Sequence, residues 1–379
     1  MARHSSAKQQ NEMPYLDFSE RDKHAGSWYN EWVCLVAFVV FTFIYLFFYQ
    51  NDVLAAGQHV LSGGQTHYSR GVGAVLITLV LGILQRCVYH LTRLRKRAHA
   101  LTYLPSLLVL TLITDVSSNI DLGFSFGGWL IALPLIIVAY VPLVIVLRQM
   151  EPFEPDNGQW GLFARSTWIN LLTMVVMFVL VGLFSNHDAT FHYRMRMEKL
   201  LLDEDYRAAL KVGRKSEVTD NSLTMLRAYA LAHEGQLGNR FFEYPVTEAT
   251  ASLLPEGKVA RTVIMPDSLI TLYARKVGVR ADYKLTQLLI DRKLKRFAAA
   301  VVVAYPDSLM PKHYAEALTM YNTMATKDSI EGDETEMELR YLDFCQKRKS
   351  LPKATVANAM RRAYGRTYWY YYHYGWKKD

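Results

Sequence analysis

The stretch W-V-C-L-V-A-F-V-V-F-T-F-I-Y-L-F-F-Y, Trp32–Tyr49, runs without a charge. A bilayer core needs about 20 mostly apolar residues per helix, and this run comes close to that length. Four further uncharged runs follow: Gly71–Gln85, Ala100–Thr114, Leu122–Leu147 and Ser166–Ser185. The chain beyond them has no comparable run. The fold class expected is all-α: a bundle of about five transmembrane helices, then a soluble helical-hairpin (tetratricopeptide-like) domain. Residues 1–31 form a polar head expected to be disordered and cytoplasmic. The bundle takes 32–185, with spans near 32–49, 71–91, 99–115, 124–147 and 167–185. The soluble domain takes 186–379.

Averages hide this division. The mean hydropathy of +0.02 would suit a soluble protein. Residues 1–185 hold 12 Lys+Arg against 11 Asp+Glu, and residues 186–379 hold 31 against 24. A basic domain beside a membrane suits anionic lipid or acidic partners. The plainer reading is a solvated surface of mixed sign. Nucleic acid is not expected as a partner, because no motif supports it. Cys34, Cys87 and Cys345 form no C-x-x-C, so neither a metal nor a disulfide framework is expected. The first apolar run starts too late, and is too long, for a cleavable signal.

Basic residues in short loops mark the cytoplasmic side. With the head inside and five spans, the inner segments hold ten Lys+Arg, including Arg93, Arg95, Lys96 and Arg97, and the outer ones hold Arg70 alone. That bias puts the N-terminus in the cytoplasm and the distal domain outside it. Arg194, Arg196 and Lys199 after the last span run against it. The third run is short and contains Pro105. If it re-enters, the spans number four and the domain lies in the cytoplasm.

Chemistry is sparse. Asp115, Asn119 and Asp121 cluster at the outer edge of the bilayer. Carboxylates at that spacing suit acid/base work or cation binding, and equally suit helix capping or a solvated loop. They are the only catalytic candidates. No other carboxylate lies within a span, which argues against a proton-coupled transporter. His187, Asp188 and His192 lack metalloprotease spacing. No cofactor is expected.

Beyond Phe191 the pattern is helical. Helical segments are expected at Met195–Leu202, Tyr206–Lys215, Asp220–Glu234, Asp267–Val277, Ala281–Lys293, Phe297–Tyr305, Pro311–Met324, Glu336–Lys347 and Ala354–Tyr374, with Ile330–Glu334 a polar loop. L-L-D-E-D-Y-R-A-A-L (Leu201–Leu210) and A-Y-A-L-A-H-E-G-Q-L-G (Ala228–Gly238) fit turns between antiparallel helices. A compact helical domain without a groove is the alternative. The insert Phe241–Met265 interrupts any period, and Phe241, Phe242 and Tyr244 in it either dock it or line a ligand surface. The segment T-Y-W-Y-Y-Y-H-Y-G-W-K-K (Thr367–Lys378) holds more aromatics than one helix face buries. Three readings stand: packing, a membrane-interface anchor, or an exposed partner patch. The candidate partner-binding residues are Tyr368, Trp369, Tyr372 and Trp376, then Tyr229, His233 and Phe242.

Three stretches resemble an uncharacterised bacterial family of multi-pass membrane proteins with a tetratricopeptide-like tail. They are L-R-A-Y-A-L-A-H-E-G-Q-L-G-N-R-F-F-E-Y-P (Leu226–Pro245), M-P-K-H-Y-A-E-A-L (Met310–Leu318) and T-Y-W-Y-Y-Y (Thr367–Tyr372). The resemblance covers most of residues 190–375. It implies a Gram-negative envelope setting with the tail facing the periplasm, and it implies no activity. The function expected is that of an integral inner-membrane protein whose extracytoplasmic helical-repeat domain is a protein-interaction or scaffolding module, with membrane lipid and unidentified envelope proteins as partners. The alternative is a membrane enzyme or carrier acting on a lipid-linked or glycan substrate, with Asp115, Asn119 and Asp121 at its site.

Overall fold

A computed structural model describes residues 17–123, 127–150, 164–247, 252–306, 309–325 and 335–375, with side chains from residue 28 onward. The chain divides into two compact units, Met1–Leu54 with Tyr68–His187, and Ala55–His67 with Asp188–Asp379. Among the described residues the regular structure is helical, and the one β-bridge joins Glu256 to Ala260.

The first unit is built from α1 (Asp17–Ile44), α3 (Arg70–Thr92), α4 (Leu104–Thr114), α5 (Trp129–Met150) and α6 (Arg165–Phe184). A π-turn, Tyr45–Tyr49, extends α1 and leads into α2 (Asn51–Leu61). Among the described residues four helices are long and apolar enough to cross a membrane: Trp28–Tyr49, Arg70–Thr92, Trp129–Met150 and Arg165–Phe184. Their outer faces are aliphatic, with Val72, Leu76, Ile83, Ile131 and Leu172 exposed, a surface that water solvates poorly. α1 starts at Asp17, so a helical lead-in occupies part of the expected polar head, while residues 1–16 lie outside the description.

The third apolar run makes a shorter helical segment than the other four, but it is the most interior. It joins a 3₁₀ segment, His99–Tyr103, to α4. A 3₁₀ turn rises about 2.0 Å per residue against about 1.5 Å in an α-helix. The combined segment therefore reaches about 26 Å, near the thickness of a bilayer core. Several of its polar groups are bonded internally, as an apolar surround requires. Ser106 donates to the Leu81 carbonyl at 2.9 Å, and Thr111 and Thr114 donate back to Leu107 and Leu110 at 2.8 Å. Asn170 on α6 accepts the Ala100 N–H at 2.9 Å and donates to the Lys96 carbonyl at 2.8 Å. Beyond the other end of α6, Asn186 donates its backbone N–H to the Thr114 carbonyl at 3.2 Å and its side chain to that of Val116. α4 and α6 therefore run parallel, tied at both ends.

The second unit runs through α7 (Ala189–Leu202), α8 (Tyr206–Ala209), α9 (Asn221–His233), α10 (Leu237–Arg240), α11 (Asp267–Ala274), α12 (Val279–Ile290), α13 (Leu294–Ala304), α14 (Lys312–Ala325), α15 (Glu336–Ser350), α16 (Val356–Tyr364) and α17 (Tyr368–Tyr374). Consecutive helices pack on one another from α12 to α17, and α17 folds back onto α14. α9 presents no solvent face along its length: every residue from Ser222 to Ala232 is buried. Even Arg227 is inside, its guanidinium donating to Thr219 Oγ1 at 3.1 Å and held 5.4 Å from the Tyr244 ring.

Two expected segments break earlier than their patterns suggest. Tyr206–Lys215 is helical only to Ala209. Ala354–Tyr374 is two helices, because the chain turns at Gly365–Thr367 and Thr367 caps the second by accepting the Tyr370 N–H at 3.2 Å. The polar loop Ile330–Glu334 lies outside the described residues.

Candidate functional site

In the first unit, a cavity of about 870 Å³ lies between α4, α5 and α6. Leucines 104, 107, 108 and 180 form its walls, and Asp115, Ser117, Ser118 and Asn186 its polar rim. α5 buries none of its residues. Two hydrogen bonds hold it: Trp129 Nε1 donates to Asp115 Oδ2 at 2.7 Å, and Tyr140 OH to the Leu101 carbonyl at 3.0 Å. Of the three acidic-loop candidates, Asp115 alone lines the cavity. It follows the last turn of α4, donating its N–H to Thr111. Asn119 precedes a short 3₁₀ turn, Ile120–Leu122, which contains Asp121. Among the described residues no cluster of His, Cys, Asp or Glu fits a metal ion. Asp188 caps α7 through the N–H groups of Thr190 and Phe191.

In the second unit the three stretches singled out from the sequence meet. Glu316, on α14, is fully buried. Its Oε2 accepts the Tyr368 N–H at 2.8 Å and lies 3.1 Å from His313 Nδ1. The Trp369 indole donates to the Glu316 carbonyl at 2.7 Å. From the first stretch, Asn239 Oδ1 accepts the Lys312 N–H at 2.9 Å, and Phe242 lies edge-on to His313 and Tyr368. Gly238 lets the chains close: a Cβ there would sit 2.7 Å from Pro311 and 2.8 Å from the Tyr314 ring.

Burial sorts the aromatic candidates. Tyr368 and Trp369 are fully buried and Phe242 nearly so, so their rings pack the domain and offer no contact surface. Tyr372 is half-buried, and Trp376 lies outside the described residues. Tyr229 and His233 belong to a second cluster. His233 is stacked between Tyr206 and Tyr273, with ring centroids 4.1 and 3.6 Å away. Burial, with the Lys276 charge nearby, pushes its pKa down to about 4 and keeps the ring neutral.

Above the Glu316 knot opens a cleft of about 760 Å³. Arg214, Lys215, Lys312, Arg340, Arg361, Arg362 and Arg366 line it, with Tyr244, Tyr370 and Tyr374 along the walls. Its two carboxylates are engaged: Glu217 with Arg361 at 2.5 Å, and Glu243 with Arg240 at 3.5 Å. No local pattern in the sequence announces this cleft. Its cations come from residues 214 to 366, and no short window holds the pattern.

The sequence reading also passed over Glu198. It is fully buried on α7, and its Oε2 accepts three successive N–H groups, from Val263 at 2.8 Å, Ile264 at 2.7 Å and Met265 at 3.2 Å. This backbone nest fixes the end of the Phe241–Met265 insert. Burial raises the carboxyl pKa to about 7 against the pull of the three donors and of Arg194. A glutamate within the run M-E-K-L-L was the available signal.

No curated protein and no solved structure matches the chain. The model of one family of unknown function, DUF6057, matches residues 125–274 and 276–375. That is more than half of the sequence, and the chain belongs to this family of unknown function.

Proposed function

We propose that this is a multi-pass protein of a bacterial inner membrane with five crossings, a cytoplasmic N-terminus and a periplasmic helical-repeat domain that recruits envelope proteins. One observation carries the crossing number. The third apolar run is bonded to both ends of α6, through Asn170 and Asn186. A re-entrant segment would leave both of its ends at one end of α6. An odd number of crossings, with the Arg93–Arg97 cluster inside, puts the tail outside.

The binding role draws its support from the cleft. Its walls are arginine and tyrosine, the residues enriched where proteins meet. The buried Glu198 and Glu316 serve the fold, each holding backbone N–H groups.

Sidedness is tested with a single cysteine at the fully exposed Val277, in a chain lacking Cys34, Cys87 and Cys345. A membrane-impermeant maleimide, applied after the outer barrier alone is opened, is expected to label it. Labelling only after lysis would overturn the five-crossing reading. Recruitment is tested by a photo-crosslinking residue in living cells. At Tyr374 it is expected to capture a protein band absent from Val277, and equal capture at both positions would refute the role.

A second reading, a membrane enzyme or carrier for a lipid-linked or glycan substrate, draws support from the cavity beside Asp115. Asp115→Ala separates the two: cells carrying it at normal protein level keep a scaffold's function and lose an enzyme's.

A further inference from the structure

We propose that the arginine-lined cleft of the tail is a docking site for an acidic, extended segment of a partner protein. The proposal rests on the tail being a recruitment module and names the chemistry of what it recruits.

Charge carries the argument. Five cations of the cleft, Arg214, Lys215, Arg340, Arg362 and Arg366, are exposed and make no ion pair among the described residues. Helix dipoles account for Arg362 alone, which lies in the last turn of α16. An ordinary solvated face mixes both signs, whereas here like charges repel one another across a concavity that focuses their field. A ligand bearing negative charge relieves that repulsion.

Spacing selects the ligand. The cations come from three places: the segment after α8, the start of α15, and the end of α16 with its link to α17. One compact anion satisfies only one or two of them. A run of carboxylates meets them in succession, each guanidinium offering paired N–H donors. The hydroxyls of Tyr370 and Tyr374 add neutral donors along the walls. A cleft of about 760 Å³ is within the usual range for bound ligands. Its concavity favours an inserted strand of chain over a flat bilayer surface. Recognition of acidic motifs by arginine clusters is a general mode of peptide binding.

The test uses the full-length protein in detergent micelles and a fluorescein-labelled peptide of about ten glutamates, read by anisotropy. The expected result is saturable binding, weakened by salt, with a glutamine peptide of the same length not binding. Arg362→Glu with Arg366→Glu should weaken binding at least tenfold, and the milder Arg362→Gln with Arg366→Gln should weaken it less. Lys295→Glu with Arg296→Glu, the same charge change on exposed positions of α13, should alter it less than twofold. Equal weakening by both glutamate pairs would reduce the effect to net charge and overturn the proposal. Failure of the glutamate peptide would overturn it too. Cleft-dependent binding of pyrophosphate in its place would point to a small anion, and of phosphatidylglycerol vesicles to a membrane surface. Capture of a protein at Tyr374 despite that failure would leave the recruitment role standing and discard only the acidic ligand.

Discussion

Glu316 accepts the backbone N–H of Tyr368 across a sequence separation of 52 residues. The bond satisfies one of the open donors at the start of α17, and the same glutamate's carbonyl takes the Trp369 indole N–H. One residue on α14 thus fixes both the start and the register of the aromatic helix. Glu316→Ala would orphan a buried donor and remove the partner of His313. A buried donor left unsatisfied costs about 1–3 kcal/mol. The expected result is faster amide exchange through Tyr368–Tyr374, with α9 unchanged. Unaltered exchange in α17 would show that ring packing alone holds it.

Gly238 is where α10 meets the start of α14. Its added Cβ would lie 2.7 Å from the Pro311 Cβ, which cannot rotate away, and 2.8 Å from the Tyr314 ring. Tyr314 is itself fixed, bonded to Thr286 at 2.9 Å and to the Asp282 carbonyl at 3.1 Å. Gly238→Ala is therefore expected to destabilise the tail by about 1–3 kcal/mol, the usual cost of overpacking. Thermal unfolding followed by limited proteolysis measures it. The nearby Gly235 has nothing within reach of a new Cβ but adopts φ +65°. Gly235→Ala is expected to cost about 1 kcal/mol through backbone strain alone.

Glu198 makes the insert pH-sensitive. Its folded pKa, about 7, lies above its ordinary value of 4.5. The folded state therefore holds the proton more tightly than the unfolded one, and protonation stabilises. That stabilisation is complete below about pH 4.5 and is lost as pH rises through about 7. After correction for intrinsic rates, the amides of Val263, Ile264 and Met265 are expected to gain protection as pH falls from 7.5 to 5. Glu198→Gln keeps an acceptor for the three N–H groups and should flatten the profile. A profile unchanged by that substitution would assign the pH dependence to another group.

What could be read ahead of the structure follows from the range of each signal. The long apolar helices were legible because their run lengths match the bilayer. The sequence offers Thr219, Asp220 and Asn221 as caps before the apolar run of α9, and Asp220 takes the role, its side chain accepting the Leu223 N–H at 2.6 Å. The full burial of α9 was not legible, because the partners that let Arg227 go inside, Thr219, Pro245 and Tyr244, lie outside the helix. The break at Gly365–Thr367 hid inside a continuous aromatic pattern. The fate of Tyr368 and Trp369 depended on a glutamate in another stretch, and the basic cleft on cations gathered from distant helices. Local periodicity and caps show in a short window, while sites assembled from separate segments do not.

The bond from Trp129 to Asp115 ties the first residue of α5 to the end of α4. α5 buries no residue, so this tether and the Tyr140 bond to Leu101 outweigh packing in setting its position beside the cavity. Asp115→Ala is expected to loosen α5 and open the cavity. Ile136 lines that cavity and is half-buried, so a cysteine there, in a chain lacking Cys34, Cys87 and Cys345, reports on the change. Its modification by a small maleimide in detergent should speed up several-fold in Asp115→Ala. Trp129→Phe, which keeps the ring and removes the donor, should do the same. Asp115→Asn keeps an acceptor and should preserve most of the protection. If the bond is the cause, the Asp115→Ala, Trp129→Phe double variant changes the rate no more than either single one, since each already removes the whole interaction. Additive effects would mean that the two residues hold α5 through separate contacts.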